Sequence, residues 1–387
     1  MIDDLAPKPA DPLLKIIKMF SDDPRSDKID LGVGVYRDEN GATPIMAAVK
    51  EAERRLLAEQ RTKTYVGQQG DAAFLQLLGE FAFAGAARDL VSIQTVGGTG
   101  ALRLGFDFLR AAGAKRVLLP TPSWANHPGL ITAAGLQQID VQFFDVAAQR
   151  IDISPLLEAI ARLSPGDTVL LQGCCHNPLG ADFDPAQWAA LAKACTAARV
   201  VAFVDVAYLG FGDGLARDGD GVRHILAHTS NVVVSVSAAK SFGVYRERVG
   251  ALYVKSAPAA RAAVQSNLFA LARSNYSMPP DHGAACVGMV LADPALRAMW
   301  ADELEAIRSH ILKTRAALAA ATINALPMQL IAKQKGMFST LPLTPAQIDT
   351  LRVTYGIYMT DSGRINVAGL PEADMARFLE ALRAVTG

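Results

Sequence analysis

Between residues 92 and 255 short apolar runs recur, separated by stretches in which alanine and leucine return at helical spacing. The runs are "SIQTV" (92–96), "RVLLP" (116–120), "VQFFDV" (141–146), "TVLLQG" (168–173), "VVAFVDVAY" (200–208), "NVVVSVS" (231–237) and "ALYVK" (251–255). They are continuous rather than alternating, as in strands covered on both faces, and so predict a mostly parallel sheet between helices. In the intervening "DPAQWAALAKACTAA", Asp184 is placed to cap a helix and Pro185 to occupy its first position. From Asp293 a helical pattern continues through "DPALRAMWADELEAIRSHILKTRAALAAA", long enough to act as a spine between two domains. The organisation expected is an N-terminal arm (1–11), a first part of a small domain (12–45), a large domain (46–307) and a second part of the small domain (308–387). The fold class is α/β: a large domain around the sheet, plus a smaller, discontinuous α+β domain.

Composition narrows the function. Lys plus Arg and Asp plus Glu both number 38 in the 387 residues, so the formal net charge is zero. Without a polybasic tract, a nucleic-acid partner bound through its phosphates is not expected. Charges interrupt every apolar run before the roughly 18 residues that a membrane span requires. The start, "MIDDLAPKPADPLL", is acidic and proline-rich, unlike a secretory signal. Cys174, Cys175, Cys195 and Cys286 form no C-x-x-C pair, and adjacent cysteines make a poor disulfide. These features point to a reduced, cytoplasmic enzyme.

In open α/β sheets ligands gather at the carboxyl ends of the strands. "TVGGTGALR", "CCHNPLG", "VDVAY" and Lys240 each stand just after a strand run. The glycines of "GGTGALR" open a helix whose bare N–H groups suit a phosphate, although many strand-to-helix turns use glycine only to bend. Asp205, at the end of an apolar strand, needs a cationic partner or a proton, and a structural arginine would also satisfy it. Lys240 follows "NVVVSVSAA", framed by small residues, and either lies in an exposed loop or has a special partner. Taken together these residues describe one ligand. A phosphate would rest on the glycine turn with Arg248, Thr99 and Ser237, a protonated ring nitrogen would face Asp205, and an aldehyde would join Lys240. That ligand is pyridoxal phosphate (PLP).

The ordered set "YRDENGATP", "TYVG", "QTVGGTGALR", "PSWANH", "CCHNPLG", "FVDVAYLGFG", "SAAKSFGVYRERVG", "RSNYSMPPDHGA" and "SGRINVAG" resembles the aspartate and aromatic amino-acid aminotransferases, class I enzymes of PLP fold type I. The resemblance covers nearly the whole chain. It implies that Lys240 binds the cofactor covalently and moves the substrate proton. It pairs Asp205 with the ring nitrogen, places Asn177 and Tyr208 on the phenolic oxygen, and gives the phosphate to Gly98, Thr99, Ser237 and Arg248. Trp124 would stack on the ring. Gly34, Trp124, Asn177 and Arg364 would surround the substrate, with Arg364 on its α-carboxylate. The resemblance further implies a homodimer in which Tyr65, Arg273 and Ser277 serve the neighbouring site, Arg273 on a dicarboxylate's distal group. The implied reaction is a PLP/PMP ping-pong exchange between aspartate, tyrosine or phenylalanine and 2-oxoglutarate, and Thr121-Pro122 and Asn177-Pro178 would be cis.

Other readings are a decarboxylase or β-lyase using the same lysine, or a catalytically silent ligand-sensing module. The arginine pair favours transamination, and the short arm leaves no room for the DNA-binding domain that such a sensor carries. Val35, Arg37, Thr43 and Thr99 look like the aspartate-preferring members. Departures from the family pattern are Leu179 for threonine, Gln172 for a frequent histidine, Ala239 for serine, Leu209 for glutamine, and Met278, which matches neither substrate class.

Overall fold

The structure, a computed structural model, describes residues 2–7, 12–323 and 326–387. Residues 1 and 8–11 of the expected arm lie outside the described residues. A seven-stranded sheet runs in the order Val91–Val96, Val249–Lys255, Val232–Ser237, Val201–Val206, Thr168–Gln172, Arg116–Thr121, Gln137–Gln142. Val249–Lys255 is antiparallel to both its neighbours, and all other pairs are parallel, so the sheet is mostly parallel as its apolar runs predict.

Both faces are buried, and the strands divide their side chains between them with period two. Val232, Val234 and Val236 enter one core together with Ala202, Val204 and Val206. Val233, Phe203, Leu252 and Leu170 enter the other. One strand differs from expectation. The sequence places it at 141–146, but the sheet strand is Gln137–Gln142, and Phe144–Asp145 pairs instead with Arg150–Ile151 in a short hairpin. Gln137–Gln142 is an edge strand with half-exposed polar positions, so it lacks the apolar run that betrays the others, while Phe143 and Phe144 are buried beyond its end.

Helix Gly97–Ala111 lies close on the sheet because Gly105 has no side chain; a Cβ there would come within 2.4 Å of Phe203 Cζ. Asp184 and Gln187 form a reciprocal capping box at the start of helix Pro185–Ala198, with Pro185 at its first position. The long helix Pro294–Ala319 is capped by Asp293, whose carboxylate accepts from Ala295 N and Leu296 N.

A third core joins residues far apart in the chain, Ile29 and Leu31 with side chains from Leu318 to Leu382. Ile29 and Asp30 pair in parallel with Ile357 and Tyr358, and Phe338–Thr340 pairs antiparallel with Arg364–Asn366. Arg315, on the long helix, is buried and makes no ion pair among the described residues; its guanidinium donates to the carbonyls of Gly336, Lys335 and Phe338 and to Ser339 Oγ. This holds Phe338–Thr340 beside the segment Asn177–Gly180, where Thr340 Oγ1 donates to the Pro178 carbonyl. Among the described residues no single helix is long and apolar enough to cross a membrane.

Candidate active site

A cavity opens where the sheet strands end. It is lined by Gly98, Thr99 and Trp124, by Asn177, Asp205 and Tyr208, by Ser237, Lys240 and Arg248, and by Gly34, Phe338 and Arg364. Predicted residues from seven separate stretches of sequence are thus brought together, with Phe338, Gln172, Leu13 and Val33 beside them.

Lys240 sits in the turn after strand Val232–Ser237. Gly243 N donates to the Lys240 carbonyl, and Phe242 N to that of Ala238. The turn is fixed from two sides: Ser241 Oγ donates to the Leu209 carbonyl, and Trp300 Nε1 on the long helix donates to the Ser241 carbonyl at 2.8 Å. Trp300 also stacks on Phe242, with ring centroids 4.4 Å apart. The amine stands 5.2 Å from the centre of the Tyr208 ring. Burial holds the Lys240 amine below the ordinary lysine value; Asp205 pulls it back up and Arg248 pushes it further down. The lysine is therefore not the exposed loop residue that local pattern alone allows, and its surroundings shift it toward the neutral form, the one that attacks a carbonyl.

Gln172, Asp205 and Ser235 are opposite one another on adjacent strands. Asp205 Oδ1 accepts from Ser235 Oγ at 2.7 Å, and Oδ2 lies 3.4 Å from Nε2 of the buried His127. With Asp205 Oδ2 as the acceptor, Nε2 is the donor, and Nδ1 pairs with Ser123 Oγ 2.8 Å away, so the imidazole bridges Ser123 and Asp205. The partner of Asp205 is thus a histidine rather than an arginine. His127 stands inside the quoted "PSWANH", yet sequence reasoning gave it no role; its position three residues after Trp124, at the start of helix His127–Ala133, was the available signal.

On the opposite side, Asn177 Nδ2 donates to Tyr208 Oη at 3.2 Å, and Asn177 Oδ1 accepts from Arg364 at 3.1 Å. Burial raises the Tyr208 phenol, while its bond from Asn177 and the nearby Arg364 oppose the rise. Arg364 also donates to the Gly32 carbonyl and lies over the Phe338 ring at 4.5 Å. Its Nε has no partner among the described residues. Gly34 is tight against the same ring, where a Cβ would be 2.8 Å from Phe338 Cζ. Both Thr121-Pro122 and Asn177-Pro178 are cis, as the resemblance implies.

The start of helix Gly97–Ala111 forms a cradle with the strand ends. A Cβ on Gly97 would lie 2.9 Å from Arg248 Nη2, and one on Gly98 would lie 2.9 Å from Ser237 Cβ. Only backbone fits there, so free helix-start N–H groups, a guanidinium and two hydroxyls converge on one spot, a donor set suited to a phosphate. With a half-buried lysine of depressed basicity and a carboxylate held by histidine, the residues present fit PLP.

Three predicted residues are elsewhere. Tyr65 is 89 % exposed, and Arg273 donates to Ser277 at the exposed end of helix Arg261–Asn275. None of the three lines the cavity of its own chain. Among the departures, Leu179, Leu209 and Ala239 are buried in packing around the site, and none of them lines the cavity.

The family model "Aminotransferase class I and II" matches residues 26–382. A tyrosine aminotransferase of Rhizobium meliloti is 45% identical over 97% of this chain and 98% of its own length. Among solved structures, an aromatic-amino-acid aminotransferase from Burkholderia pseudomallei, covalently bound to pyridoxal phosphate, superposes with a TM-score of 0.95 at 38% identity over the whole of both chains. An aromatic amino acids aminotransferase of Psychrobacter sp. B6, crystallised with aspartic acid, gives 0.93 at 30% identity, over 100% of this chain and 99% of that one. With its lysine, carboxylate and phosphate cradle assembled on the matching fold, the chain belongs to the class I and II aminotransferases and is a PLP-dependent transaminase.

Proposed function

We propose that this cavity exchanges an amino group between an acidic or aromatic L-amino acid (aspartate, tyrosine or phenylalanine) and 2-oxoglutarate. The observation that carries the reading is Arg364. Its guanidinium is 8 % exposed at the residue level, faces the cavity, and makes no ion pair with a carboxylate among the described residues. Asn177 and the Gly32 carbonyl orient it, which leaves a planar pair of donors for a substrate α-carboxylate.

PLP, bound there, supplies the carbonyl and the electron-withdrawing ring that loosen the Cα proton. Lys240 takes that proton and returns it. Asp205, oriented by His127 and Ser235, holds a proton on the ring nitrogen. Asn177 and Tyr208 would donate to the phenolic oxygen, Gly98, Thr99, Ser237 and Arg248 would hold the phosphate, and Trp124 would lie against the ring. Single-turnover half-reactions with aspartate, tyrosine and phenylalanine, followed by the cofactor's colour, test the substrate class. All three donors should bleach it at rates within about two decades of one another, the range set by a few hydrogen bonds. Failure of both classes would overturn the reading.

Tyr65, Arg273 and Ser277 serve the site of a second chain, Arg273 meeting the distal carboxylate of a dicarboxylic substrate, so the working unit is a two-fold homodimer. Tyr65 is 89 % exposed and Arg273 stands at an exposed helix end, so both are accessible to a second chain. Light scattering should give twice the 41.1 kDa of one chain. An active monomer would contradict the shared site. The balanced charge and four unpaired cysteines support a cytoplasmic enzyme of small molecules, with neither nucleic acid nor membrane as partner.

A further inference from the structure

Gln172 ends strand Thr168–Gln172, directly opposite Asp205. Its side-chain amide closes on the backbone of one residue: Oε1 accepts from Asn177 N at 2.8 Å, and Nε2 donates to the Asn177 carbonyl at 2.8 Å. This double contact fixes which end of the amide is oxygen, since the reverse would set donor against donor and acceptor against acceptor. Nε2 is also 3.1 Å from His176 Nε2 and 3.4 Å from Ser123 Oγ. One N–H is committed to Asn177, so the second is shared between His176 and Ser123. From Ser123 the chain of donors continues through His127 to Asp205.

We propose that Gln172 is a positioning residue for the cofactor: one neutral amide sets Asn177 on the phenolic-oxygen side and feeds the Ser123–His127–Asp205 chain on the ring-nitrogen side. Both sides of the ring are then tied to a group that cannot titrate. A histidine has only two ring nitrogens, set apart in a rigid ring, and cannot repeat the paired contact with N–H and carbonyl of the same residue. The inference rests on the assignment of PLP to this cavity.

The titratable groups facing this amide are His176, His127 through Ser123, and Asp205 on the neighbouring strand. Those facing Lys240 are Asp205, Tyr208 and Arg248. The readout is the purified holoenzyme without substrate: the pH midpoint of its visible cofactor absorption, and the dissociation constant of PLP. Gln172→Glu keeps the shape but replaces a donor by a carboxylate oxygen. The added negative charge should raise the midpoint by about half a pH unit or more, because it favours the protonated form of the chromophore. Gln172→Met keeps the volume without either contact and should weaken PLP retention about tenfold, the net worth of one lost hydrogen bond. Gln172→His should fall between parent and Met. Should the Met variant fail to fold, the Glu and His variants carry the same readout. If the variants alter only thermal stability while midpoint and retention match the parent, Gln172 merely staples the turn and the proposal is wrong. A parent protein that showed no visible absorption with PLP would instead overturn the cofactor assignment.

Discussion

Lys240→Ala binds PLP reversibly and loses transamination by about four decades or more, since both the covalent anchor and the positioned base disappear. Borohydride treatment of the parent traps the cofactor on Lys240, readable by peptide mass, whereas the variant releases it on dialysis. The surroundings of the lysine explain why the loss should be local. Ser241 and Trp300, not the amine, hold the turn, so the variant keeps its fold and its phosphate cradle. Single-turnover bleaching with aspartate measures the effect directly. Parental rates in the variant would end the assignment of Lys240 as anchor and base.

Arg364→Leu damages aspartate and phenylalanine alike, while Arg273→Leu damages aspartate and spares phenylalanine. Removing one partner of a buried charge pair costs on the order of 3–5 kcal/mol, or two to four decades of kcat/KM. Every substrate presents an α-carboxylate to Arg364, whose orientation comes from Asn177, Gly32 and the Phe338 ring. Arg364→Lys keeps the charge without the planar fork and should recover only part of the loss. In the proposed dimer Arg273 would meet a second carboxylate only when the substrate has one, and its removal would leave a less polar wall for an aromatic ring. Half-reactions with single donors isolate this from the 2-oxoglutarate step, which on the same assignment would need Arg273 too. Equal loss with both donors after Arg273→Leu would make it a structural residue.

Much of this was legible because the chemistry needs residue types that the local sequence otherwise disfavours. A lysine and an aspartate at the ends of buried strands, and a run of glycines at a helix start, each violate a packing or propensity preference, and each falls on the cavity. The edge strand Gln137–Gln142 was less legible because one face of it meets water and its apolar run is broken. His127 was missed for a different reason. Its role depends on a carboxylate 78 positions away, and nothing in the helix that carries it distinguishes a buried histidine with a partner from one in simple packing. Gln172 stood out only as a departure; its paired contact with Asn177 depends on the geometry of the turn between them, which spacing does not report. Tyr65, Arg273 and Ser277 were singled out by resemblance; in one chain Tyr65 is 89 % exposed and Arg273 and Ser277 bond to each other, away from the cavity.

The pairing of Ile29–Asp30 with Ile357–Tyr358 has a consequence for synthesis on the ribosome. Ile29 waits for Ile357, 328 positions later, which at roughly 5–20 residues per second is an interval of about 16–65 s. Gly98, Asp205, Ser237, Lys240 and Arg248 have all been made before that interval closes, and Arg364 comes after it. The nascent chain therefore acquires the groups assigned to PLP well before the one assigned to the amino acid, and its first strand stays without its partner until residue 357 has been made.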